Sequence, residues 1–254
     1  MTAPAIDHTY VRPFSWNAML AEAVTGGADQ LVVAESGIDP IGRLMDPAFT
    51  DPLWEYEGSR LGTPLIPGQL HPKQVEQLMS PAKHRLLFWG NQSGKSSFGA
   101  VDEVLTGLGR HPVNSLRWKP PIVQWASALT WELWENILLP ELLTWIPPWR
   151  IIKAPEPYQH SLNRHIVFRA DNGAVSRITG KAAEQGRMKY QSARVHQVWF
   201  DEEHPQEIWD ECQPRLLRFN GRSLSTLTPL KGLTWMYHRI YEPHYLRGKG
   251  MAAA

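Results

Sequence analysis

The stretch Trp89-Gly90-Asn91-Gln92-Ser93-Gly94-Lys95-Ser96 constrains the fold more than any other, because of what flanks it. Apolar Leu86-Leu87-Phe88 runs directly into it, and a helix-compatible run leaves it at Ser97. A strand that turns tightly over glycines into a helix points its backbone N–H groups inward, and the helix adds the positive end of its dipole. Such a turn cradles phosphate. Lys95 would bridge the β- and γ-phosphates of a triphosphate, and the Ser96 hydroxyl would hold Mg²⁺. The usual pattern, G-x-x-x-x-G-K-[ST], opens on glycine. Here Trp89 stands in that place and Gly90 comes one position late. An ordinary solvated strand-to-helix turn has the same local form, so the decision falls to the rest of the chain.

A second stretch complements the first. Val195-His196-Gln197-Val198-Trp199-Phe200 reads as a strand and delivers the chain into Asp201-Glu202-Glu203. Carboxylates at the end of an apolar strand are costly unless a cation pairs with them, and Mg²⁺ with ATP supplies one. In P-loop enzymes of the additional-strand type the first acid holds the metal and the next polarises the attacking water. Asp201 is thus assigned to Mg²⁺ and Glu202 to the general base. A solvated helix N-terminus before Pro205 to Glu211 is the simpler account of the acids. Loop and acids together make ATP hydrolysis the stronger reading, since each is incomplete alone.

Between and around these stretches the chain alternates strand and helix. Leu70 to Leu78 reads as a short helix, and its Gln74 carries the donor and acceptor that complement an adenine edge. Ser97 to Leu108 is a helix closed by Gly109, and Pro121 to Ala126 is a buried strand ending in Ser127. Trp131 to Leu143 is helical, with Pro140 expected to kink or end it. His165–Arg169 and Ala174–Thr179 flank Asp171-Asn172-Gly173, the signal of a hairpin. Arg222–Leu227 is a last strand ending at Thr228-Pro229, where a hydroxyl can sense the γ-phosphate. The fold expected is α/β: a P-loop NTPase of the additional-strand (ASCE, RecA-like) type, with a mostly parallel central sheet and helices on both faces. Residues 1–60, rich in Asp-Pro pairs, read as an N-terminal extension of loops and short helices, including one from Phe14 to Val24. Residues 61–254 are expected to form the P-loop ATPase domain.

Composition excludes little. The net charge of +1 gives no whole-molecule field for nucleic acid, so any such contact needs a local patch. Arg215, Arg218, Arg222 and Lys231 are the candidates. One cysteine, Cys212, permits no internal disulfide and reads as packing. No secretory signal opens the chain, and Pro140-Glu141 interrupts its greasiest stretch well short of a membrane span. The 12 tryptophans read chiefly as core, although rings of this kind also stack on bases.

With these residues in view, the chain from about His71 to Tyr241 resembles the ATPase domain of tailed-bacteriophage large terminases. The resemblance rests on Gly90-Asn91-Gln92-Ser93-Gly94-Lys95-Ser96, Glu184-Gln185-Gly186-Arg187, Val198-Trp199-Phe200-Asp201-Glu202-Glu203 and Leu227-Thr228-Pro229-Leu230-Lys231-Gly232. It implies a viral DNA-packaging motor in the host cell cytoplasm that hydrolyses ATP with Mg²⁺ to drive double-stranded DNA into a prohead. It also implies a homo-oligomeric ring, a portal protein and a small terminase subunit as partners. The family's variant P-loop accounts for the displaced glycine, and Thr228 falls at its coupling motif. Many members carry a P-loop arginine where this chain has Asn91 or Gln92. Many also carry an arginine that reaches a neighbour's ATP; here Gln191 falls near that place, and Arg187 is the candidate finger. The family's C-terminal nuclease has no room in 254 residues, so an isolated ATPase domain or truncated product without DNA cleavage is expected. Two other readings stay open: a superfamily 2 helicase half, from Asp201-Glu202-Glu203-His204, and a scaffold that binds ATP without hydrolysing it.

Overall fold

The computed structural model describes residues 72–243, except 91–92, 114, 116, 161, 192 and 229–233. The expected domain boundary near residue 60 and the helix from Phe14 to Val24 lie outside the described residues, as do Asn91, Gln92, Pro229 and Lys231. Seven strands, β1 (His84–Phe88), β2 (Val123–Ala128), β3 (Ile151–Lys153), β4 (His165–Arg169), β5 (Val175–Ala182), β6 (Gln197–Asp201) and β7 (Arg222–Leu227), form one sheet in the order β1-β7-β6-β2-β5-β4-β3. The pairs β1/β7, β7/β6, β6/β2 and β2/β5 are parallel, while β4 and β3 are added antiparallel. β7 therefore lies between the strand that enters the glycine loop and the strand that ends in the acids. That is the additional-strand arrangement. The β4–β5 hairpin turns at Ala170–Ala174, where Gly173 takes φ 79° and its N–H donates to the Ala170 carbonyl at 3.0 Å.

Alternation along β6 distributes the helices. Gln197 and Trp199 face α2 (Lys95–Leu108), whereas Val198 and Phe200 face α5 (Gln206–Leu217) and cluster with Ile208, Cys212 and Leu216. Trp125, Trp134 and Trp199 are all buried. α2 lies so close to the sheet that a Cβ at Gly99 would sit 2.1 Å from the Trp199 indole. The helical run expected from Trp131 to Leu143 is three pieces: α3 (Trp131–Leu133), a π-helical turn (Trp134–Leu138) and α4 (Leu139–Trp145). Pro140 falls in the first turn of α4, where its missing N–H is not needed.

At the amino ends of the parallel strands the interior holds charge. Asp102 Oδ2 accepts from Arg85 Nη2 at 2.6 Å, Gln197 Nε2 at 2.7 Å and Arg222 Nη2 at 3.3 Å, and every member of this group is buried. Burial alone would raise the Asp102 carboxyl, but the Arg222 and Arg85 guanidinium groups hold it well below its ordinary range. Arg222, a DNA candidate by sequence, is fully enclosed and cannot reach a phosphate backbone. Its neighbours in that candidate group, Arg215 and Arg218, differ: Arg215 pairs with Glu211 at 2.5 Å and Arg218 is exposed.

Glu103, next along α2, is raised well above its usual value by burial and by the Asp102 charge, and it accepts from Gln124 Nε2 at 2.6 Å. A carboxyl with a raised folded pKa favours folding below its unfolded value, near 4, and loses that contribution as pH rises toward the folded value. Glu103→Gln is accordingly expected to flatten the decline in stability between pH 5 and pH 8. Urea denaturation at the two pH values checks this; a decline as steep as in the wild type would show that Glu103 is not its source.

Candidate functional site

β1 ends at Phe88, and the chain turns through the glycine loop into α2, whose N-cap Gly94 has φ 75°. Glycine enters this left-handed region without the steric cost of a side chain. Ser93 Oγ donates to the Gly90 carbonyl at 2.7 Å and Lys95 Nζ donates to the same oxygen at 2.8 Å, so the lysine spans the loop it follows. Lys95 is buried, with 8% of its surface exposed. Gln74, from α1 (Pro72–Leu78), is also buried, and its Nε2 donates to the Gly94 carbonyl at 3.1 Å. The glutamine expected on the adenine side thus touches the turn of the loop itself.

The carboxyl end of β6 lies beside this loop. Ser96 Oγ donates to Asp201 Oδ1 at 3.3 Å, and Thr226 Oγ1, from β7, donates to the same oxygen at 2.9 Å. Part of the Asp201 surface meets solvent, yet protein crowds its carboxyl. That burial raises it to about 6, with the adjacent Glu202 charge adding to the rise. A cation placed here would reverse the shift. Among the described residues no group of three or more His, Cys, Asp or Glu side chains converges on a metal position. A hydroxyl and one carboxylate nonetheless fit Mg²⁺, which takes oxygen ligands and commonly keeps waters and substrate phosphates as the remainder.

Glu202 departs from the strand with φ 65°, a left-handed conformation unusual for a residue with a side chain. Its N–H donates to the Thr226 carbonyl at 2.7 Å. Its carboxylate accepts from both ends of Thr228, from the backbone N–H at 3.0 Å and from Oγ1 at 3.3 Å. A residue held in a sparsely populated backbone conformation stores strain that its surroundings must hold, and such residues cluster at working sites. The glutamate expected to activate water and the threonine expected to sense the γ-phosphate are hydrogen-bonded to each other.

Arg187 lies on a 3₁₀ turn (Arg187–Tyr190), with half its side chain in solvent, and pairs with Glu211 of α5 at 3.2 Å. Gln191 donates to the same Glu211 oxygen at 3.4 Å. Glu184 lies outside the loop and caps α3, accepting from the Trp131 N–H at 2.8 Å. A cavity of about 420 Å³ opens on the Glu203 side, lined in part by Glu184, Glu203, His204 and Trp235. None of its lining residues belongs to the glycine loop, so it is a neighbour of the candidate site. Sequence reasoning passed over Ser127 and His204, which are buried behind Glu202 and hydrogen-bonded to each other at 2.8 Å. The signal was present: a histidine three residues after Asp201, and a serine near the end of a buried strand.

No family model matches the chain. The large terminase subunit of Salmonella phage P22 is 28% identical over 181 residues, an alignment taking in 59% of this chain. The chain covers 36% of that relative's length. Among solved structures, the large terminase ATPase domain of Thermus phage P74-26 superposes with a TM-score of 0.51 at 23% identity, over 73% of this chain and 72% of that one. The large terminase of a second thermophilic bacteriophage superposes with a TM-score of 0.55 at 11% identity, over 71% and 44% of the two chains. One crystal form of that second protein is a complex with ADP. By fold the described residues match these ATPase domains, and by sequence the chain is similar to a phage large terminase.

Proposed function

We propose that this chain, similar in sequence and fold to phage large terminases, is the ATPase part of a DNA-packaging motor. It hydrolyses ATP with Mg²⁺ and uses the cycle to move double-stranded DNA into a prohead in the host cytoplasm, as one copy in a ring with portal and small-subunit partners. The observation that carries the reading is the meeting of three elements at one end of the sheet: Ser96 within 3.3 Å of Asp201, and Glu202 beside them, held by Thr228. Lys95 and the backbone N–H groups of Gly90, Asn91, Gln92, Ser93 and Gly94 bind phosphates, and Gln74 meets the adenine. Mg²⁺, held by Ser96 and Asp201, would neutralise charge building on the phosphates. Glu202 takes the proton of the attacking water, and Thr228 passes the loss of the γ-phosphate into the segment behind it. Arg187 is the candidate arginine finger toward a neighbour's nucleotide.

Phosphate release from ATP over a range of protein concentrations tests this. The rate per chain should rise with concentration and vanish when EDTA removes Mg²⁺, and Arg187→Ala should flatten the concentration dependence. No release at any concentration, or release indifferent to EDTA, would overturn the assignment. Among the described residues no helix is long and apolar enough to cross a membrane.

A further inference from the structure

Behind Glu202 runs a line of buried polar groups that the hydrolytic steps do not use. Tyr190 OH lies 2.6 Å from Ser127 Oγ, Ser127 Oγ lies 2.8 Å from His204 Nε2, and His204 Nδ1 lies 3.0 Å from the Glu202 carbonyl oxygen. Tyr190 and His204 are at most 1% exposed, and Ser127 is fully buried. The line joins separate elements: Tyr190 ends the 3₁₀ turn that carries Arg187, Ser127 is the last residue but one of β2, and His204 follows the acids at the end of β6.

A carbonyl oxygen can only accept. His204 Nδ1 must therefore carry a proton, since its lone pair would otherwise face the carbonyl at 3.0 Å. Burial lowers the imidazole to about 4 against the favourable Glu202 and Ala128 carbonyls, so the ring is neutral at pH 7 and Nε2 is an acceptor. Ser127 must then donate to Nε2, and its oxygen accepts from the tyrosine hydroxyl. Every hydrogen bond points one way, from Tyr190 to the Glu202 carbonyl.

Two further contacts fix the histidine. The Trp235 indole N–H donates to the His204 carbonyl at 3.0 Å, and the Phe200 ring meets the imidazole edge-on at 5.1 Å. The receiving peptide belongs to the residue with φ 65°. A left-handed glutamate relaxes to an ordinary conformation unless something holds it, and relaxation would swing its carboxylate away from Thr228. At the other end, Tyr190 is pinned inward by an edge contact to Trp125 at 5.8 Å, while Arg187 on the same turn faces out to Glu211.

We propose that His204 is a positioning residue that holds the strained Glu202 peptide in its water-activating pose, and that Ser127 and Tyr190 tie this pose to the turn bearing Arg187. The inference rests on the ATPase reading of the same site. Movement of the Arg187 turn, as when that arginine engages a neighbouring subunit, reaches Glu202 through one short line of hydrogen bonds rather than across the nucleotide.

The first test needs no activity. Long-range ¹H–¹⁵N spectra of the 254-residue chain should show His204 neutral at pH 7 with its proton on Nδ1. A proton on Nε2 would overturn the proposal. The second separates the two ring nitrogens. Asparagine at 204 can offer a donor where Nδ1 stands, and glutamine reaches only toward the Nε2 position. H204Q should lower kcat by about tenfold, the worth of one positioning hydrogen bond, with ATP affinity unchanged, and H204N should recover most of the loss. Equal kcat in the two variants, or kcat within twofold of wild type in H204Q, would overturn it.

Ser127→Ala, a smaller change, removes the donor to Nε2 and should lower kcat severalfold at constant affinity even if the His204 variants do not fold. Wild-type kcat in Ser127→Ala would sever the line. If the wild type hydrolyses ATP and Glu202→Gln does not, while H204Q matches the wild type, the His204 inference fails alone. If the wild type does not hydrolyse, the ATPase reading fails and takes the inference with it.

Discussion

With Glu202→Gln the chain is expected to keep its affinity for ATP and to lose turnover by about 10³-fold, the middle of the range for a positioned general base. The amide matches the carboxylate in shape and still offers one oxygen to the Thr228 N–H, which now donates to Glu202 Oε2 at 3.0 Å. What the variant lacks is an acceptor basic enough for a water proton. The groups proposed to bind the nucleotide, the glycine loop with Lys95 and Ser96, lie at a different strand end. Phosphate release and equilibrium binding of ATP, measured on the same preparation, separate the two quantities. A variant that hydrolyses at the wild-type rate would move the general base elsewhere. If neither form releases phosphate while both bind ATP, the non-catalytic scaffold becomes the better account.

The largest effect on stability is expected at Asp102, far from that chemistry. Asp102→Ala leaves the Arg85 and Arg222 guanidinium groups buried without their shared carboxylate, and removing one partner from such a group costs about 3–5 kcal/mol. Urea denaturation at pH 7 reads the loss. The pH dependence gives an independent signature. Because the Asp102 carboxyl is held well below its ordinary range, its contribution is complete above the unfolded value, near 4. It is lost as pH falls through the depressed folded value. The wild type should therefore lose stability in acid more steeply than Asp102→Ala. A loss under 1 kcal/mol at pH 7, with parallel acid limbs, would show that the arginines find other partners.

The parts of this molecule that the sequence announces are those whose chemistry is local. Gly94-Lys95-Ser96 between an apolar strand and a helix can be read in eight residues, as can carboxylates at the end of Val198-Trp199-Phe200. Arg222–Leu227 was legible as a strand to the residue, and the Asn172-Gly173 turn marked its hairpin. Long-range partners are different. Arg222 reads as one more surface cation until Asp102, Gln197 and Thr106 converge on it from two other elements. Asp102 and Glu103 did carry a hint, for they interrupt Ala100-Val101 and Val104-Leu105 on a helix that is apolar on both sides. The π-helical turn at Trp134–Leu138 has no sequence rule behind it beyond the proline that follows. His204 lay next to the recognised acids, but its role depends on Ser127, 77 positions earlier, and no spacing rule links the two.

The closeness of Gly99 to Trp199 reaches Asp201, the proposed metal ligand, by a short route. The Trp199 indole donates to Thr226 Oγ1 at 2.8 Å, and that hydroxyl donates to Asp201. A methyl group at residue 99 would push α2 off the sheet at the point where the helix begins to carry Ser96 toward Asp201. Trp134 covers Gly180 in the same manner, with a Cβ there 2.3 Å from the indole. For a lineage drifting under selection, neither member of such a couple is free to change first. A larger residue at 99 becomes tolerable only after the indole has shrunk, and a smaller ring leaves a void until the glycine has grown. These positions should therefore change together or stay as they are, and libraries that randomise one while fixing the other should return the parent residue.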